Sequence, residues 1–107
     1  MDFQRFELIL NDCMEQSRNM LATKGEEYAP LDDRLSNFKK ITELTGINPV
    51  MVAVILQAKH YISICEMADN PGAHHEGKWR EKLVDVRNYT ILIQALLVEE
   101  YQDEPSN

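Results

Sequence analysis

Cysteine is scarce: two in 107 residues, Cys13 and Cys65, far apart in the chain and without a CxxC spacing. Both sit inside apolar-periodic segments, so they read as reduced core thiols of a cytoplasmic protein, with a disulfide as the lesser alternative. Positive charge is also short, with 11 Lys and Arg against 18 Asp and Glu and a net charge of -7. Such a balance excludes nonspecific binding to duplex nucleic acid or to an anionic membrane, because either needs a field of the opposite sign. Any phosphate must then be met locally, by a few Lys and Arg or by a divalent cation. The first ten residues, MDFQRFELIL, are acidic and interrupted by polar groups, which fits neither a signal peptide nor a membrane span. Repeats, low-complexity tracts and a competing strand pattern are absent from the sequence. So are a Walker loop, a dinucleotide glycine fingerprint, a Ser or Cys nucleophile motif and a basic aromatic RNA platform.

What is present is helical periodicity. The apolar content of 44% suffices for one compact core, so residues 1–101 are expected to form a single domain followed by a solvated tail, 102–107. Phe3, Phe6, Leu10, Cys13, Ser17, Met20 and Leu21 recur at three and four, predicting an amphipathic helix over 2–23 that Lys24 and Gly25 stop. A shorter helix starts with Asp32 or Asp33 as N-cap, packs through Leu35, Phe38, Ile41 and Leu44, and ends at Gly46. Asn48-Pro49 opens a third helix to about Asp69, whose first half, VMVAVILQA, is apolar on every side and is expected to be enclosed by other helices. NPGAHHEG breaks the chain, and a last helix spans about Lys78 to Glu100. The expected fold is all-α, a compact four-helix bundle. Because YTILIQALLVEE is apolar almost all round, a homodimer or higher homo-oligomer is expected as well.

The candidate site residues follow from helical geometry. Glu81, Asp85 and Asn88, spaced by four and three, make one stripe that Leu92 continues, so the stripe points into the bundle. They read as ligands or acceptors; the plain alternative is solvated charges paired with Lys78 and Lys82. On the third helix, Lys59 and His60 follow nine largely apolar residues, and a lysine there must snorkel, pair with a carboxylate such as Asp85, or bind an anion. His60 taken alone fits a buried, hydrogen-bonded imidazole. In KGEEYAPLDDRLSNF, capping accounts for Gly25 and for Asp32 or Asp33 but leaves Lys24, Tyr28, Arg34 and Asn37. A planar anion binder, an amide three residues on and a stacking ring suit a nucleotide. A polar helix-start network without ligand is the alternative. His74, His75 and Glu76 lack the i, i+4 spacing of a helical chelate and read as loop residues, and Trp79 reads as closing the core.

The order KGEEYA, DDRLSNF, AKH and EKLVDVRNYTILIQALL, running from about Lys24 to Glu99, resembles small phage and prophage proteins described as nucleotide-modification-associated or MazG-like. The resemblance implies an all-α fold related to the MazG and dimeric dUTPase superfamily of pyrophosphohydrolases, and a place in the cytoplasm of a bacterial host. In that superfamily an EExxE and an ExxD motif hold Mg²⁺ against phosphates. Here Glu26-Glu27 is followed by Tyr28, Ala29 and Pro30, and Glu81 to Asp85 is ExxxD. Two function classes therefore stand. The first is a binding protein that sequesters a cyclic-nucleotide or ADP-ribose-type immune signal without a cofactor, through Lys24, Tyr28, Arg34, Asn37, Lys59, His60, Asp85 and Asn88. The alternative is a Mg²⁺-dependent (d)NTP pyrophosphohydrolase with metal on Glu26, Glu27, Glu81 and Asp85.

Overall fold

The computed structural model describes residues 1–22 and 33–102. Among them are four α-helices: α1 (Phe3–Ala22), α2 (Ser36–Thr45), α3 (Pro49–Ala68) and α4 (Glu76–Gln102), with a 3₁₀ turn at Pro71–Ala73. The described chain is all-helical, as the periodicity predicts.

The helix boundaries are set by local chemistry. Asp2 starts α1 by accepting the Arg5 N–H on its carboxylate at 2.8 Å. Asp33 accepts the Leu35 N–H at 3.0 Å, and its backbone carbonyl accepts from Ser36 at 3.3 Å, so it turns the chain into α2. Gly46 ends α2 at φ 77°, a left-handed conformation that glycine takes without steric cost, and its N–H donates to the Thr42 carbonyl at 2.8 Å. Asn48 then caps α3 by accepting from Met51 N–H at 2.9 Å, with Pro49 in the first turn. At the head of α4, His75 Nδ1 accepts the Lys78 N–H at 3.2 Å, and Trp79 donates its indole N–H to the Pro71 carbonyl at 3.1 Å, fastening the α3–α4 connection.

The core lies where α2, α3 and α4 meet. Leu35, Phe38, Val52, Ala53 and Leu96 are buried there, flanked by Ile41, Leu56, Tyr89, Leu92 and Ile93. Phe38 meets Tyr89 edge to face at 6.5 Å. Helices α3 and α4 run antiparallel, because Gln57 reaches Val86 and Thr90 while His60 reaches Asp85. Gln57 donates both to the Val86 carbonyl at 2.9 Å and to Thr90 Oγ1 at 2.7 Å, one side chain bridging the pair.

Helix α1 departs from the expected packing. Its contact with α4 is made by its second half and is largely polar: Arg80 grips Asp12 with bonds of 2.8 and 3.0 Å, and Arg87 donates to Ser17 Oγ at 2.7 Å and to Gln16 at 3.4 Å. Every residue from 1 to 12 is exposed, including Phe3, Phe6 and Leu10 of the predicted apolar stripe. Helix α3 also departs, since Met51, Val54 and Ile55 face outward in the first half, VMVAVILQA, which the sequence suggested is enclosed by other helices; Tyr61 and Ile62 are exposed further along. Cys13 is half-buried and Cys65 exposed, both free, so Cys65 is no core thiol. The result is longer than a compact bundle: the radius of gyration is 16.2 Å, against about 13 Å for a compact chain of this length.

Candidate functional site

The antiparallel register of α3 and α4 sets two rows of polar side chains along one cleft. From α3 come Lys59, Ser63 and Glu66, spaced four and three, with His60 beside them; from α4 come Lys78, Lys82, Asp85 and Tyr89, spaced four, three and four. At the foot of this cleft Ser63, Glu66, Met67, His74, Lys78 and Lys82 line a cavity of about 250 Å³. That volume suits a phosphate group and its first neighbours better than a whole nucleotide. Among the described residues Lys59, Lys78 and Lys82 have no ion-pair partner, in contrast to Lys39 and Arg80.

Higher in the cleft, His60 Nδ1 lies 3.5 Å from Asp85 Oδ2, and the imidazole stacks on the Tyr89 ring at 5.4 Å and 29°. Partial burial pushes the Tyr89 phenol above its ordinary range, and the Asp85 carboxylate adds to the shift by opposing a second negative charge. The expected Lys59–Asp85 pair is therefore replaced. Residue 60 sits 100° further round α3 than residue 59, which turns the imidazole toward α4 and leaves Lys59 exposed at the cleft edge.

Asn88 is 6% exposed and its Oδ1 has no hydrogen-bond partner among the described residues; Ser36 Oγ is the other such buried atom. A buried acceptor left unpaired costs about 1–3 kcal/mol. Asn88 follows Asp85 by three positions and is its neighbour on α4.

The remaining predicted residues divide between other tasks. Arg34 donates to the last carbonyls of α1, Leu21 at 3.4 Å and Ala22 at 3.3 Å, which occupies at least part of the guanidinium proposed for an anion. Asn37 is exposed on α2 and engaged in an interaction of its own. Lys24, Glu26, Glu27, Tyr28 and Asp32 lie outside the described residues. Glu81 lines a different concavity, a groove of about 390 Å³ between α1 and α4 formed with Gln16, Asn19, Met20, Arg80 and Val84. Although that groove is larger, Asp12 already neutralises its one cation, Arg80, so it offers an anion little. Since Glu81 faces this groove while Asp85 faces His60, the two carboxylates do not converge, and no group of three metal-ligating side chains occurs among the described residues.

Sequence reasoning passed over His74, Lys78, Lys82 and Tyr89 as site residues. Lys78, Lys82 and Tyr89 were detectable, because they share with Asp85 a second stripe beside the one through Glu81 and Asn88. His74 could not be found this way, since it enters the cleft from the turn before α4. Away from the cleft, Lys39 bridges Asp33 at 2.9 Å and Glu99 at 2.7 Å, tying the start of α2 to the end of α4. The bond to Glu99, then that to Asp33, raises the Lys39 pKa, while the Lys39 bond and the Leu35 N–H lower that of Asp33. No family model, curated protein or solved structure matches this chain.

Proposed function

We propose that this chain binds a nucleotide in the α3–α4 cleft and sequesters it without turnover, the ligand being a cyclic-nucleotide or ADP-ribose-type signal. One observation carries the reading. On a chain of net charge -7, Lys78 and Lys82, without ion-pair partners among the described residues, line one cavity with Ser63, Glu66 and His74, on the α3–α4 face where His60 meets Asp85 and Tyr89. Holding like charges together costs energy, and an anion between them offsets that cost. In this reading Lys78 and Lys82 meet a phosphate in the cavity at the cleft foot, with His74 and the Ser63 hydroxyl as further donors. Lys59 closes over a second phosphate from the rim. Asp85 accepts from a ribose hydroxyl, and Asn88 supplies its unpartnered oxygen to a donor on the base or sugar. Such a trap suits a phage protein acting against nucleotide signalling in its host, a role that rests on the resemblance of its motifs.

The test is isothermal titration of cyclic dinucleotides, cyclic trinucleotides, ADP-ribose derivatives and common nucleotides, with and without Mg²⁺, followed by heat release and chromatography of the ligand. Saturable binding with intact ligand recovered supports sequestration. Conversion to monophosphate and pyrophosphate in Mg²⁺ would instead support the pyrophosphohydrolase. Silence across the panel removes both.

A further inference from the structure

The cavity at the foot of the cleft holds one charged group that a phosphate does not explain. Lys78 and Lys82 line it from α4, but Glu66 lines it from α3, the one carboxylate on its wall among the described residues. Glu66 makes no ion pair within 4.0 Å of either lysine, so opposite charges stand apart around about 250 Å³ of open space. A lysine only donates hydrogen bonds, and an ionised carboxylate only accepts them. A ligand that satisfies both therefore carries an anion with a hydrogen-bond donor beside it. Bare phosphate fails this test, because Glu66 repels it.

Two further walls narrow the class. Met67, 4% exposed, gives the cavity an apolar surface, which suits the carbon face of a sugar ring and does nothing for a phosphate. His74 closes the turn side, packed edge to face on Trp79 at 6.4 Å, and Trp79 is anchored in turn to the Pro71 carbonyl at 3.1 Å. These walls fit a sugar phosphate with free hydroxyls, which a carboxylate receives as acidic side chains receive ribose hydroxyls in dinucleotide-binding folds. Distance along the helix sets how the rest of the ligand lies. Glu66 is six residues beyond His60 on α3, about 9 Å at 1.5 Å per residue. A single phosphate does not span that length, whereas a ribose joined through a diphosphate to a nucleoside does, with its base against the His60–Tyr89 pair. A cyclic dinucleotide fits less well: each of its riboses has two oxygens held in phosphodiester bonds, so no adjacent pair of free hydroxyls remains.

We infer that Glu66 is a specificity-determining residue, accepting from the hydroxyls of a terminal ribose 5-phosphate and so selecting ADP-ribose-type ligands over cyclic dinucleotides. The inference rests on the nucleotide reading of the cleft and narrows it. Amide shifts of ¹⁵N-labelled wild type and Glu66→Ala are titrated with inorganic phosphate, 2-deoxyribose 5-phosphate, ribose 5-phosphate, ADP-ribose and cyclic di-AMP. Wild type is expected to bind ribose 5-phosphate about tenfold more tightly than phosphate or the deoxy sugar, the effect of one hydrogen bond to a charged group. ADP-ribose is expected to exceed cyclic di-AMP by a similar factor. In Glu66→Ala both preferences vanish while phosphate itself binds more tightly, a gain that no loss of folding produces. Preferences kept in Glu66→Ala, or missing from a wild type that still binds nucleotides in the cleft, overturn the role of Glu66 and leave the cleft reading standing. Silence with all five probes overturns both.

Discussion

Asn88 supplies the most discriminating stability experiment, because the structure predicts a gain where a buried asparagine ordinarily gives a loss. Its Oδ1 is buried without a partner on a residue 6% exposed. In Asn88→Ala, relief of that acceptor contributes about 1–3 kcal/mol. Alanine adds about 0.5 kcal/mol of helix propensity in the interior of α4. Against these, the missing amide leaves a void on the order of 30 Å³, costing about 0.7 kcal/mol. The variant is therefore expected to be more stable than wild type by about 1–3 kcal/mol, a rise of about 0.5–1.5 M in the urea midpoint. Urea melts followed by circular dichroism at one fixed protein concentration read this directly, which matters because any association adds to apparent stability. A midpoint lower than wild type by more than 0.5 M would refute the reasoning, since it would mean that the amide is satisfied in the folded protein.

Three further outcomes follow from the geometry. Removing Lys39 with Lys39→Met should cost no more than about 1 kcal/mol, because both of its ion pairs are more than a third exposed. With the Asp33 pKa lowered in the fold, its contribution is present above the unfolded aspartate range and lost as pH falls through the lowered value, so acid titration of stability should be shallower in Lys39→Met. For Tyr89 the sign is opposite: a raised pKa contributes fully below the unfolded tyrosine range and is lost as pH climbs through the folded value, and Tyr89→Phe should flatten the alkaline limb of thermal stability. Arg34→Ala should fray the last turn of α1, read as faster amide exchange at residues 18–22 with exchange in α3 unchanged.

Much of the fold was legible because its determinants are local. Asp2, Gly46 and Asn48-Pro49 each mark a boundary by a hydrogen bond or dihedral within four residues, so the sequence alone places them. The direction of a side chain around a helix is not local in this way. VMVAVILQA is apolar on all sides, which says that α3 has apolar residues to bury but not which of its faces the other helices of the chain cover. The Lys59–His60 exchange has a similar origin: neighbouring residues differ by 100°, and only the register of α4 decides which one meets Asp85. Arg34 was read from its chemistry as an anion binder, and its planar donors do meet oxygen, but that of the α1 terminus, a neighbour that no spacing rule reveals.

The central claim, a nucleotide held between α3 and α4, is tested most directly by mapping amide shifts in ¹⁵N-labelled protein during titration with the nucleotide panel. Saturable shifts are expected at residues 59–67 and 74–89, lost in Lys78→Ala/Lys82→Ala, with α1 unmoved. Shifts confined to the α1–α4 groove around Gln16 and Glu81, or an unchanged spectrum with every nucleotide, would contradict it.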